Sequence, residues 1–117
     1  MFRRCIAVIV LVAPHAATSG DKILDIRIAE RQIVGDAITR QVNEGDDVEL
    51  RWYADEDVEL HLHGYEIAIQ VPAGGSANMT FTAKVSGRFP ISHHGFGEKV
   101  GREHGEKPIL YLEVYPE

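Results

Sequence analysis

Val58-Glu59-Leu60-His61-Leu62-His63-Gly64-Tyr65 decides how this 117-residue chain is read. Apolar and polar residues alternate through it, the period of an extended strand whose side chains leave on opposite faces. Val58, Leu60 and Leu62 therefore share one face, and His61 and His63 share the other. Gly64 follows at once, where a strand can bend or another backbone can approach closely. A second histidine-bearing stretch, His93-His94-Gly95-Phe96-Gly97, comes some thirty residues later and is followed by His104-Gly105. Five of the six histidines lie in these two places. If folding brings the places together, their imidazoles form a metal site.

The same alternation extends in both directions. Leu24, Ile26 and Ile28 alternate with Asp25, Arg27 and Ala29 over Ile23–Glu30, and Val48, Leu50 and Trp52 alternate with Glu49, Arg51 and Tyr53. Downstream, Ile67, Ile69 and Val71, then Met79, Phe81, Ala83 and Val85, then Leu110, Leu112 and Val114 repeat the pattern. Arg88–Ser92 reads as a short strand, and Gln32–Val34 and Ala37–Val42 as two further possible ones. Turn residues separate the segments at Gly35-Asp36, Asn43-Glu44-Gly45-Asp46, Pro72-Ala73-Gly74-Gly75 and Ser86-Gly87. No segment has sustained helical periodicity, and there is no internal repeat. About seven short strands with a turn roughly every ten residues predict an all-β sandwich or small barrel. Trp52, the only tryptophan, belongs to its core. Residues 93–108 read as a loop, long for a compact domain and of the kind that is usually functional.

The N-terminus has a different character. Met1-Phe2-Arg3-Arg4 is basic, Cys5–Ala13 is an uncharged apolar run, and Pro14–Gly20 is small and polar. That is the pattern of a secretory signal peptide, and the run is too short to span a bilayer. We expect residues 1–20 to be removed and residues 21–117 to form one domain, periplasmic or secreted. Ala17-Thr18-Ser19 is a tolerable cleavage motif, although no Ala-x-Ala precedes Asp21. Removal takes away Cys5, the only cysteine, so the mature chain has neither disulfide nor thiolate ligand. It also takes away Arg3 and Arg4, leaving 10 basic against 18 acidic residues and a net charge of −8. That balance argues against nucleic acid or anionic lipid as a partner. It suits a protein that meets cations, though acidity also serves plain solubility.

In their order and spacing, four stretches resemble the cupredoxin family, the plastocyanin-like domains. Asn43-Glu44-Gly45-Asp46-Asp47-Val48 is similar to the family's lead-in to its third strand. Val58–Tyr65 is similar to the strand that supplies its first histidine ligand. Pro72-Ala73-Gly74-Gly75 through Phe81, and Gly87-Arg88-Phe89, are similar to its glycine turn and to the strand before its ligand loop. The resemblance covers most of residues 22–116 and implies a Greek-key β-sandwich. Carried over, the upstream histidine falls on His63, with His61 one strand step away. The downstream one falls on His94 or His104. Ser92 or His93 stands where the family has its copper-binding cysteine, and nothing fills the axial methionine slot, Met79 being too early.

Blue-copper electron transfer needs a thiolate beside two imidazoles, so the resemblance implies something else here. An all-imidazole site suits tetragonal Cu(II) or tetrahedral Zn(II). The expected ligands are His63 with His93 or His94 and His104, assisted by His61. His93 and His94 diverge if extended, so only one of them is expected to bind. Glu98, Glu103 and Glu106 read as a solvated loop. The function that follows is copper handling outside the cytoplasm, by storage, delivery or tolerance, with zinc as the other candidate metal. The ion and a periplasmic protein would be the partners. The alternative is a metal-free β-sandwich interaction module with a degenerate site. A copper oxidase or reductase ranks last, since no general base or substrate pocket is marked in the sequence.

Overall fold

The computed structural model describes Ile9, residues 20–96 and residues 107–117. The rest of the expected signal segment, His104, and Glu98, Glu103 and Glu106 lie outside the described residues. Among the described residues nine strands follow one another: β1 (Asp21–Ala29), β2 (Gln32–Ile33), β3 (Thr39–Asn43), β4 (Asp47–Ala54), β5 (Val58–Leu62), β6 (Ile67–Val71), β7 (Gly75–Thr82), β8 (Gly87–His94) and β9 (Lys107–Tyr115). Both segments read as possible strands, at β2 and β3, are strands, which raises the count from about seven to nine.

The strands form two sheets, ordered β2-β1-β4-β7 and β3-β9-β8-β5-β6. β1 runs parallel to β4, and β3 runs parallel to β9. Parallel neighbours cannot be joined by a tight hairpin, so the chain passes repeatedly from one sheet to the other. Each strand gives its apolar face to the space between them. Val48, Leu50, Trp52 and Ala54 of β4 face Val58, Leu60 and Leu62 of β5 and Leu110, Leu112 and Val114 of β9 in one buried cluster. Fully burying a side chain of this kind contributes about 1.5–3 kcal/mol. The alternation visible in the sequence is therefore the division between core and solvent.

The turn Asn43–Asp46 ties the two sheets together. Gly45 adopts φ 93°, a left-handed conformation that glycine takes without steric cost. Gly45 N–H donates to Ala83 O at 2.8 Å, Ala83 N–H to Asp46 O at 2.8 Å, and Glu44 N–H to Tyr115 O at 2.7 Å. Asp46 itself has no solvent-accessible surface. Its carboxylate accepts from Gly20 N–H at 3.0 Å and from Asn43 N–H at 2.8 Å.

The second histidine stretch differs from expectation. It does not begin a loop at residue 93: β8 continues through His94, and β9 starts at Lys107. His93 and His94 are held in the sheet because they pair with Leu60 and Glu59 of β5, and His93 also pairs with Lys107 of β9. A register shift between Ile91 and Ser92 lets β8 meet both neighbours.

Candidate functional site

β5 and β8 are adjacent and antiparallel, so the two histidine stretches lie side by side in opposite directions. His61 is opposite Ser92, and His94 is opposite Glu59. His61 and His94 are therefore diagonal neighbours on the solvent face of the five-stranded sheet, close enough for ring contact. Their rings meet edge to face, with centroids 4.9 Å apart. On the same face, Glu59 Oε1 lies 2.5 Å from His61 Nε2, and Gln70 Nε2 donates to Glu59 Oε2 at 3.3 Å. A carboxylate that accepts from Nε2–H fixes the imidazole tautomer and puts the ring lone pair on Nδ1. Glu59 escaped the sequence reading, although its spacing of two residues from His61 on a strand already placed both on one face.

His63 sits beyond the end of β5. Its N–H donates to Pro90 O at 3.1 Å, and its ring centroid is 6.3 Å from that of His61. It thus flanks His61 on the side away from His94. The residues after it make a firm corner. Gly64 has φ 89°, and a Cβ there would stand 2.4 Å from Cδ1 of Phe89. The bend expected at this glycine is real, and what approaches it is an aromatic ring. Tyr65 packs against Phe81 and Phe89 at centroid distances of 5.0 and 4.9 Å. Its hydroxyl donates to Val85 O at 2.7 Å and accepts from Val85 N–H at 3.1 Å.

His93 points the other way from His94, as strand alternation requires. Its ring packs on Phe96 at 4.5 Å, and its Nδ1 is buried without a hydrogen-bond partner among the described residues. Burial lowers its pKa below the ordinary imidazole value, and the charges of His94 and Lys107 add to the effect. A neutral imidazole is the form that binds metals. Phe96 is held in turn by Arg31, whose Nη2 donates to Phe96 O at 3.1 Å while the guanidinium forks onto Glu56 at 2.9 and 3.2 Å. Glu30 and Arg31 both take left-handed backbone, φ 52° and 64°, in the turn between β1 and β2.

Folding therefore gathers His61, His63 and His94 on one face, with Glu59 beside them, and sends His93 to the other. Among the described residues, no three His, Cys, Asp or Glu side chains are arranged so that they could hold a metal ion as they stand. The chemistry of the donors nonetheless fits copper or zinc, both of which imidazole and carboxylate ligate. It does not fit a blue-copper centre, because no cysteine among the described residues can supply the thiolate.

No family model matches the chain, and no curated protein matches it. Among solved structures it is similar to a chain of a haem-copper terminal oxidase dimer determined by cryo-EM, with 16% identity and a TM-score of 0.57 over 82% of this chain. The match spans 65% of that oxidase chain. It is also similar to a copper-binding protein determined by NMR in its apo form, with 7% identity and a TM-score of 0.58 over 79% of this chain and 85% of that one. Identities this low speak to architecture alone: the two packed sheets form an all-β sandwich compatible with a cupredoxin-like one.

Proposed function

We propose that this chain is an exported copper-binding protein that handles the metal by storage, delivery or tolerance and does not act as a blue-copper electron carrier. The observation that carries the reading is the meeting of His61 and His94 at 4.9 Å across β5 and β8, with Glu59 on His61 Nε2. His63, 6.3 Å from His61, supplies a third imidazole on that face after a side-chain rotation. His104, which lies outside the described residues, is the further donor expected from the sequence, and His93 is the one on the inner side of β8. That a copper-binding protein and a haem-copper oxidase chain share the fold supports copper over zinc. So does the greater intrinsic affinity of nitrogen sites for Cu(II). Because only neutral imidazole binds, affinity falls as the pH drops and the imidazoles take up protons.

Titration of the metal-free protein with Cu(II), followed by calorimetry and electron paramagnetic resonance, tests this. One equivalent should bind with a nitrogen-rich tetragonal signal, and His61→Ala and His94→Ala should each abolish it. Stoichiometric binding that survives both substitutions would overturn the assignment. No uptake at all would favour a metal-free interaction module, a reading supported by the lack of three convergent donors among the described residues.

A further inference from the structure

The turn at Asn43–Asp46 holds a buried carboxylate whose charge is met chiefly by backbone donors. Asp46 is wholly inaccessible, and an ionised carboxylate without water must be offset by opposite charge or by strong hydrogen bonds. It receives two backbone donors, Asn43 N–H on Oδ2 at 2.8 Å and Gly20 N–H on Oδ1 at 3.0 Å. Burial alone would push its pKa up; those two hydrogen bonds and the nearby charge of Lys22 bring it below the ordinary value. Gly20 is held from its other side as well, since its carbonyl accepts from Asp47 N–H at 3.0 Å. The pairing of β1 with β4 begins at the next residue, Asp21 opposite Asp47. The sheet thus fixes the position of one backbone nitrogen, that of Gly20, against a buried anion.

In the sequence, Ala17 and Ser19 are the small residues at the third and first positions before Gly20, the arrangement a secretory peptidase accepts. We propose that the chain is cut between Ser19 and Gly20 and that the new α-ammonium of Gly20 is the counter-ion of Asp46. The inference rests on the export reading and adds the site of processing and its structural purpose. In the cut, water supplies a hydroxyl to the Ser19 carbonyl carbon and a proton to the Gly20 nitrogen as the amide C–N bond breaks. At neutral pH the freed amine takes a further proton. The 3.0 Å contact then changes from a neutral hydrogen bond to a charge-assisted one, roughly twice as strong. Glycine carries no side chain to crowd the junction. Removal of the leader would therefore complete the folded domain as well as release it.

Expression of the full chain in a bacterial host, followed by intact mass measurement of the exported protein, tests the cut. A mass beginning at Gly20 is expected. A product beginning at Asp21 or elsewhere would overturn this inference while leaving export intact, and a chain that keeps Met1 would overturn both. The seating of the amine is tested on the exported product by its rate of Nα-acylation at neutral pH. Pairing with Asp46 should slow that rate about tenfold, one pKa unit, relative to Asp46→Asn. Equal rates would overturn the ion pair even if the cut is right. If Asp46→Asn does not fold, the same comparison is made between folded and urea-unfolded wild-type protein, with the same outcomes.

Discussion

The two ends of the β5–β8 pair are built on opposite plans. At one end Gly64-Tyr65 turns under Phe89, and the Tyr65 ring is fixed by packing on Phe81 and Phe89 and by its double hydrogen bond with Val85. At the other end Glu59, His61 and His94 meet on a half-buried face through a polar contact and an edge-to-face ring contact. Apolar, close-packed geometry resists change because a displaced ring loses many contacts at once. Polar side chains on a half-buried face can turn toward a ligand at small cost. The first end holds the strands in register; the second gathers side chains of the metal-ligating type. A histidine motif that straddles both, as His61 and His63 do, therefore joins two kinds of site.

That contrast can be broken by substitution. The largest effect is expected at Gly64→Val, which meets both a left-handed φ and the Phe89 ring. It should cost about 3–6 kcal/mol in urea unfolding, enough to prevent folding. Leu60→Ala, on the buried face of β5, should cost about 2–5 kcal/mol. Asp46→Asn gives a reference point away from both ends. The folded-state pKa of Asp46 is lowered, so its stabilisation is present above the ordinary carboxylate range and disappears as pH falls through the folded value. The wild-type acid-unfolding curve should steepen there, and the variant's should be flatter. Tyr65→Phe removes the hydroxyl from Val85 and should cost about 0.5–1.5 kcal/mol while leaving Cu(II) binding unchanged. His61→Ala should be the mildest for stability, about 1 kcal/mol or less, yet it should abolish Cu(II) binding. If His61→Ala instead proved as destabilising as Leu60→Ala, the second end would be structural and the contrast would collapse.

Much of this was legible in the sequence. Alternation gave the inward residues of β4, β5 and β9 because period two is a property of the strand itself. It also gave the divergence of His93 from His94. Alternation cannot give pairing, which depends on contacts between distant segments. Nothing local showed that His94 would lie opposite Glu59, or that β8 would run on through both histidines with a register shift at Ile91/Ser92. Asp46 looked like an ordinary turn residue because its partner Gly20 lies 26 positions away. Arg31 gave no signal for the same reason, being joined to Phe96 across 65 positions.

Trp52 is the only indole in the chain, lies fully buried, and has no hydrogen-bond partner for its Nε1 among the described residues. An indole in so apolar a setting should emit at the blue end of its fluorescence range and shift red only when water reaches it. The sandwich thus carries an intrinsic optical gauge of its integrity at β4, in the sheet that bears none of the candidate metal ligands. Loss of copper binding without a change in that emission would mark a damaged site in an intact fold.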